Sequence, residues 1–410
     1  MAQTKPKASQ FYGVSGDGTA GQVLISDGNG GMSWGANTEN YTVSWATPTG
    51  QSLTYTQPNP QSSSGGPGSA FPTTTFTATK SGEEISGTAT IAGLPTGITA
   101  SQSISGTGAD NVLTVTLTGV FPGADSLNTA LTISGLTVQV PPVPLTVKYL
   151  VVAGGGSGGA NSNSGGGGAG GYRTNFGGTG VSLSAATNYL VTIGAGGAGE
   201  GPQPSPGNGN NGINSVFNNI TSTGGGRGSG QGGTAASGGS GGGGAYDTNG
   251  NSGNAGGYSP VEGYAGANGT PSFSYPGGGG GGASETGNTD GAGHGGDGTS
   301  NSITGSAVFY AGGGSGGVSA GYSIIPGGDG GGGAGSNNTA TSQAGTANTG
   351  GGSGGGAGSY GSGNGGSGIV ILRYPDVYTI SGLSGTTTTV GSDKVTTFTN
   401  AGTGNIQFNS

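Results

Sequence analysis

An all-β protein is what this sequence predicts, and three observations carry the prediction. Short segments rich in Val, Ile, Thr and Tyr alternate apolar with polar residues and are parted by Gly, Pro and Ser clusters. No stretch shows a convincing helical period. Most of the 107 glycines fall between Gly154 and Gly368, in runs such as Gly165–Gly168, Gly241–Gly244 and Gly277–Gly282. Each glycine inside a helix costs about 1 kcal/mol, so helices are excluded there.

The first element is a hairpin within residues 1–36. Val23–Ser26 is a short β run, Asp27-Gly28 supplies turn chemistry and Met32–Trp34 returns beside it. A hairpin this small is not stable alone in water, so Val23, Leu24, Ile25 and Trp34 are candidate docking residues. Residues 37–141 read as an all-β domain. Leu113, Val115 and Leu117 alternate with Thr114, Thr116 and Thr118, the period of a half-buried strand. Similar runs at Tyr41–Trp45, Thr73–Thr79, Ile85–Ile91 and Leu131–Val140 suit an immunoglobulin-like sandwich of about seven strands. Pro141, Pro142 and Pro144 stiffen the exit.

Residues 142–375 form the glycine-rich domain, bracketed by the apolar strands Val147–Val152 and Ile369–Tyr374. Weaker strands are expected at Tyr189–Ile193, at Asn214–Phe217 with Ile220, and at Ala307–Tyr310. The glycine runs between them become long excursions from a small sheet or sandwich. Without side chains to hold them apart, they can pack as three-residue-per-turn polyglycine-II-like helices bonded through main-chain groups. Collagen is excluded, because Gly does not recur at every third position. Residues 376–410 alternate apolar with polar residues and add strands or a small C-terminal β cap.

Composition narrows the function. Only 6% of the 410 residues are charged, against about 25% in typical domains. With 8 Lys+Arg against 16 Asp+Glu the net charge is −8, so nucleic acid is not an expected partner. The absence of Cys removes disulfides, thiolate catalysis and zinc-thiolate sites. No apolar segment approaches the roughly 20 residues of a membrane helix, and Met1–Lys7 leads into polar residues rather than a secretory signal.

Gly18–Gly35 resembles a repeat of tail-fibre and other fibrous virion proteins of tailed bacteriophages. Tyr149–Gly156, Gly165–Arg173, Tyr189–Gly197, Ile213–Phe217, Ser302–Val308, Ala344–Gly352 and Gly365–Tyr374, in that order, resemble the glycine-rich domain of marine phage tail fibres and virion adhesins, cyanophage proteins among them. The resemblance implies a virion fibre protein, on the tail or the capsid surface. Its N-terminal 36 residues would dock to other virion proteins, and its glycine-rich domain would contact a host glycan or surface protein. A structural or decorating fibre protein without receptor contact is the alternative. A homotrimer is expected, since closed symmetry covers edge strands. A bacterial surface adhesin ranks lower for want of an export signal.

Candidate sites are few. Gly154–Gly159 satisfies the G-x-G-x-x-G dinucleotide pattern, but Ala160–Gly168 offers no helix to aim at a phosphate. Asp290, Asp297 and Asp329 stand among glycines outside any calcium-repeat pattern, so no cofactor or metal is expected, an ion at subunit contacts apart. The single His294, flanked by Asp290 and Asp297, lies in a Gly-rich loop without packed supports, and no enzyme activity is expected. Tyr246, Tyr258, Tyr264, Phe273, Tyr275 and Tyr322, with His294, are the candidate receptor contacts. Tyrosine supplies large contact area at little entropy cost, and Asp247, Glu262 and Asn268 lie near these rings in sequence. The same rings would equally serve to fill gaps between glycine runs.

Overall fold

A computed structural model describes residues 22–26, 32–36, 43–45, 54–56, 70–79, 84–92, 94, 97–106, 112–120, 131–139, 143–201, 207–271 and 276–410. It is all-β, with no helix among the described residues and several antiparallel sheets. The chain divides into two units, Met1–Pro142 and Val143–Ser410.

In the first unit β1 (Gln22–Ser26) and β2 (Met32–Ala36) form an antiparallel hairpin that sets Leu24 opposite Trp34. Then follow β3 (Val43–Trp45), β4 (Thr54–Thr56), β5 (Ala70–Thr79), β6 (Glu84–Ala92), β7 (Ile98–Ser105), β8 (Val112–Val120) and β9 (Leu131–Gln139). They make one sheet in the order β3-β9-β6 and another in the order β4-β5-β8-β7. β3 runs parallel to β9, and the other pairs are antiparallel. The alternation read in β8 is real: Leu113, Val115 and Leu117 are buried, whereas Thr114 and Thr116 are half-buried and Thr118 is exposed.

The second unit begins with β10 (Thr146–Val152), β11 (Tyr172–Thr174), β12 (Val181–Ser182), β13 (Asn188–Ile193), β14 (Ser215–Phe217) and β15 (Ile220–Ser222). It continues with β16 (Thr299–Asn301), β17 (Val308–Tyr310), β18 (Ile369–Pro375), β19 (Thr379–Gly382), β20 (Thr386–Val390), β21 (Asp393–Phe398) and β22 (Gly402–Asn409). One sheet runs β11-β10-β18-β21-β20 with β12 beside β10, another runs β15-β14-β13-β22-β19, and β16 pairs with β17. Residues 376–410 thus supply strands to both large sheets.

The two large sheets share one core. Val147, Tyr149 and Val151 of β10 and Val370, Leu372 and Tyr374 of β18 meet Tyr189, Val191, Phe217, Ile406 and Phe408 of the facing sheet. The Tyr374 and Phe408 rings pack edge to face at 5.2 Å. The alternate residues of the same strands, Leu150, Val152, Ile369 and Ile371, enter a second cluster under Ile303 and Tyr310. Burial on both faces explains why β10 and β18 read as nearly continuous apolar runs.

The glycine runs leave this sandwich as excursions: 153–171 between β10 and β11, 194–214 between β13 and β14, 223–298 between β15 and β16, and 311–368 between β17 and β18. Their main-chain bonds repeat every three residues. The N–H groups of Gly165, Gly168 and Gly171 donate to Ser229, Gly226 and Thr223 of one neighbouring run. Those of Gly166 and Ala169 donate to Gly278 and Gly281, and those of Gly167 and Gly170 to Ser353 and Gly350. The same stretch accepts from Ala153, Gly156 and Gly159, from Ser240 and Gly243, and from Gly314. It therefore bonds to six neighbouring runs, donating to three and accepting from three. The approach leaves no room for side chains: a Cβ built at Gly165, Gly166 or Gly167 would overlap the carbonyl oxygens of Gly243, Gly314 and Gly156.

Candidate functional site

Run 165–171 leads directly into β11, so the opposite end of the glycine excursions lies away from the strands. At that far end the connecting loops come together. The Tyr246 N–H donates to Asn163 O, the Asn163 Nδ2 donates to Ser319 Oγ, and the Tyr322 N–H donates to Ser319 O. Gln231 Nε2 donates to the Tyr246 phenol at 2.7 Å, and Ser162 Oγ donates to Gln231 Oε1 at 2.8 Å. Asn, Gln and Ser side chains thus tie four separate loops into one surface. On it Tyr246 is half-buried, whereas Tyr322 is 52% and Ile324 51% exposed.

The chain matches the model of the glycine-rich domain family over residues 129–375. It belongs to that family. No curated protein and no solved structure matches it. The matched residues take in β9 and the stretch from β10 to β18 with all four excursions.

Within this glycine-rich domain the other sequence-derived candidates are spread apart. Tyr264 is 38% exposed on the flank, its N–H bonded to Gly282 O and its carbonyl to Gly241 N–H. Tyr258 belongs to the strand end, where its ring lies under the Arg173 guanidinium with the Cζ 4.0 Å from the ring centroid. His294 is half-buried in a tight turn in which its own N–H donates to Gly291 O. Phe273 and Tyr275 lie outside the described residues. Val23, Leu24, Ile25 and Trp34 occupy the paired backbones of β1 and β2 in the first unit.

Two arrangements were not readable from sequence spacing. The carboxylates of Glu285, Asp290 and Asp297 come within 4.8 Å of one another, a group that does not include His294. Two of its members are already engaged with the chain: Glu285 Oε1 accepts from the Asp297 N–H and Asp297 Oδ1 from the Asp329 N–H. The second is Glu262, fully buried, whose two carboxylate oxygens accept from the Thr223 and Gly256 N–H groups.

The nucleotide pattern at Gly154–Gly159 has no donors to offer. Five of its N–H groups bond to main-chain carbonyls, and that of Gly158 bonds to Ser353 Oγ. A phosphate cradle needs such groups free. Among the described residues no helix is long and apolar enough to cross a membrane.

Burial pushes three phenols above their usual range, all of them on strands. Tyr374 is raised by burial against bonds to Thr396 and Thr387. Tyr172 is raised by burial, opposed by its bond from Asn301, and Tyr310 by burial and then by the charge of Tyr172. All three are therefore neutral donors or acceptors at ordinary pH.

Proposed function

We propose that this chain is a bacteriophage fibre protein whose glycine-rich domain projects from the particle and contacts the host surface. The observation that carries the reading is the far-end surface. Sequence-distant loops are tied together there by amide side chains, on the end of a backbone-bonded body, with Tyr322 and Ile324 exposed. Binding surfaces are commonly built of loops held by a rigid scaffold. The resemblance of the ordered motifs to those of phage tail-fibre and virion adhesin sequences supports the same reading. In it the β1–β2 hairpin docks to other virion proteins, and β3 to β9 form an immunoglobulin-like spacer. The excursions are polyglycine-II helices, a reading supported by the three-residue repeat of their bonds. Three chains assemble so that exposed edge strands are covered. The ligand is a host glycan or surface protein, and the protein resides on the tail or capsid of the particle.

The second reading is a decorating or structural fibre protein without receptor contact. The engagement of Tyr246 favours it, because a half-buried ring with a bonded hydroxyl fills a gap as well as it meets a ligand. Adsorption separates the two. Purified wild-type chain should compete with particles for host cells, and Tyr322→Ser should compete at least about tenfold less well. Equal competition by neither protein, with the chain located on the particle by immunogold labelling, would leave the decorating role.

A further inference from the structure

The strand end of the glycine-rich domain holds a cavity of about 280 Å³ lined by Tyr149, Tyr172, Arg173, Ser259, Val261 and Thr299 among others. We propose that it binds a carboxylate-bearing sugar residue, with Arg173 as the anion-recognising group. Arg173 is half-buried, and its guanidinium lies over the Tyr258 ring. Its Nη1 donates to Thr221 O at 2.9 Å. Among the described residues no carboxylate pairs with it, which leaves Nε and Nη2 without an acceptor. In a chain with only 8 Lys+Arg, a cation stacked on an aromatic and facing a cavity is a placed charge.

Glu262 adjoins the lining residue Val261, and it does not cancel that charge by pairing. Its carboxylate is fully buried and turned to the Thr223 and Gly256 N–H groups. Nor does the wall supply a phosphate cradle: there is a single cation, and the Tyr172 N–H is already given to Glu262 O. One guanidinium edge matches one carboxylate, to which it can bond through two parallel donors. The remaining wall suits a sugar ring. Tyr149 and Tyr172 are among the lining residues, and the Ser259 and Thr299 hydroxyls are unengaged among the described residues. The volume falls just below the roughly 300–1,000 Å³ of drug-sized ligand sites, enough for one ring. The site rests on binding geometry at the strand end and is separate from the far-end surface.

The test is calorimetric titration of the full chain with galacturonate, galactose and inorganic phosphate. Galacturonate is expected to bind at roughly millimolar Kd and at least about tenfold more tightly than either of the others. Arg173→Gln should remove this binding, and Arg173→Lys should restore little of it, because an ammonium lacks the paired donors. Val261→Glu tests the site without disturbing the interior: Val261 is 48% exposed, and a negative charge at the rim should weaken galacturonate about fivefold. Equal binding of galactose, tighter binding of phosphate, or retention of affinity in both Arg173→Gln and Val261→Glu would overturn the proposal. So would the absence of galacturonate binding to wild type at roughly 50 mM. Circular dichroism identifies a misfolded Arg173 variant, in which case Val261→Glu decides. Specific galacturonate binding without competition for host cells would retain this site and remove the receptor reading, and competition without galacturonate binding would do the reverse.

Discussion

Within residues 143–410 two neighbouring regions are ordered by opposite means. The sandwich is held by side chains: Tyr374, Phe217, Phe398 and Phe408 are at most 1% exposed and interlock across two sheets. In the body built from the glycine runs, the main chain itself forms the packed interior. All seven N–H groups from Gly165 to Gly171 donate to carbonyls, toward three different runs. The first region loses stability when a side chain is removed. The second loses it when one is added.

That contrast is most sharply tested by Gly167→Val, which drives a side chain into the Gly156 carbonyl. Overpacking of an ordinary core costs about 1–3 kcal/mol. Here the obstacle is backbone held from several sides, so the glycine body should fail to form, read as rapid amide exchange across 165–171. Gly201→Ala is the control, since nothing among the described residues lies within 4 Å of a Cβ built there. If Gly167→Val exchanges as slowly as wild type, the runs are not close-packed.

Phe408→Ala should cost about 3–5 kcal/mol by opening a cavity against Tyr374 and Tyr189, measured by denaturant melting. Ser353→Ala examines the few side chains the glycine body does use. Its hydroxyl accepts from the Gly158 N–H and donates to Gly363 O in a fully buried setting, so about 1–3 kcal/mol should be lost with no change in fold.

The smallest expected effect is alkaline. Tyr172, Tyr310 and Tyr374 have folded pKa values above the ordinary 10.0, so the fold prefers the neutral phenol. The stabilisation is complete below pH 10 and is lost as pH rises through that value toward the folded pKa. All three sit on β11, β17 and β18, and amide exchange at high pH should therefore quicken first in the strands. Earlier loss of the glycine runs would invert the comparison.

The same contrast explains what could be read from the sequence. The strands β10 and β18 were legible because large apolar residues fill both faces, and β8 because Leu and Val alternate with Thr. β16, Thr-Ser-Asn, and β20, four threonines and a valine, carry little apolar signal, since pairing rather than burial makes them strands. The glycine runs announced backbone packing, but repetition erases the register: nothing in Gly165–Gly168 distinguishes Ser229 from Ser353 as a partner. Candidate contacts fared similarly. Tyr246 and Tyr322 share a surface only because Asn163 and Ser319 join their loops, and Arg173 meets Tyr258 across a long excursion.

The six-neighbour environment of run 165–171 has a kinetic corollary. Its partners extend in sequence from Ala153 to Ser353, so the innermost bonds close only after much of the chain has doubled back several times. Contacts of such long range make folding slow, because loop entropy is lost before the contacts that offset it are formed. Bonds that form after the rate-limiting step then slow unfolding in turn, giving a body whose endurance is set by the height of the escape barrier.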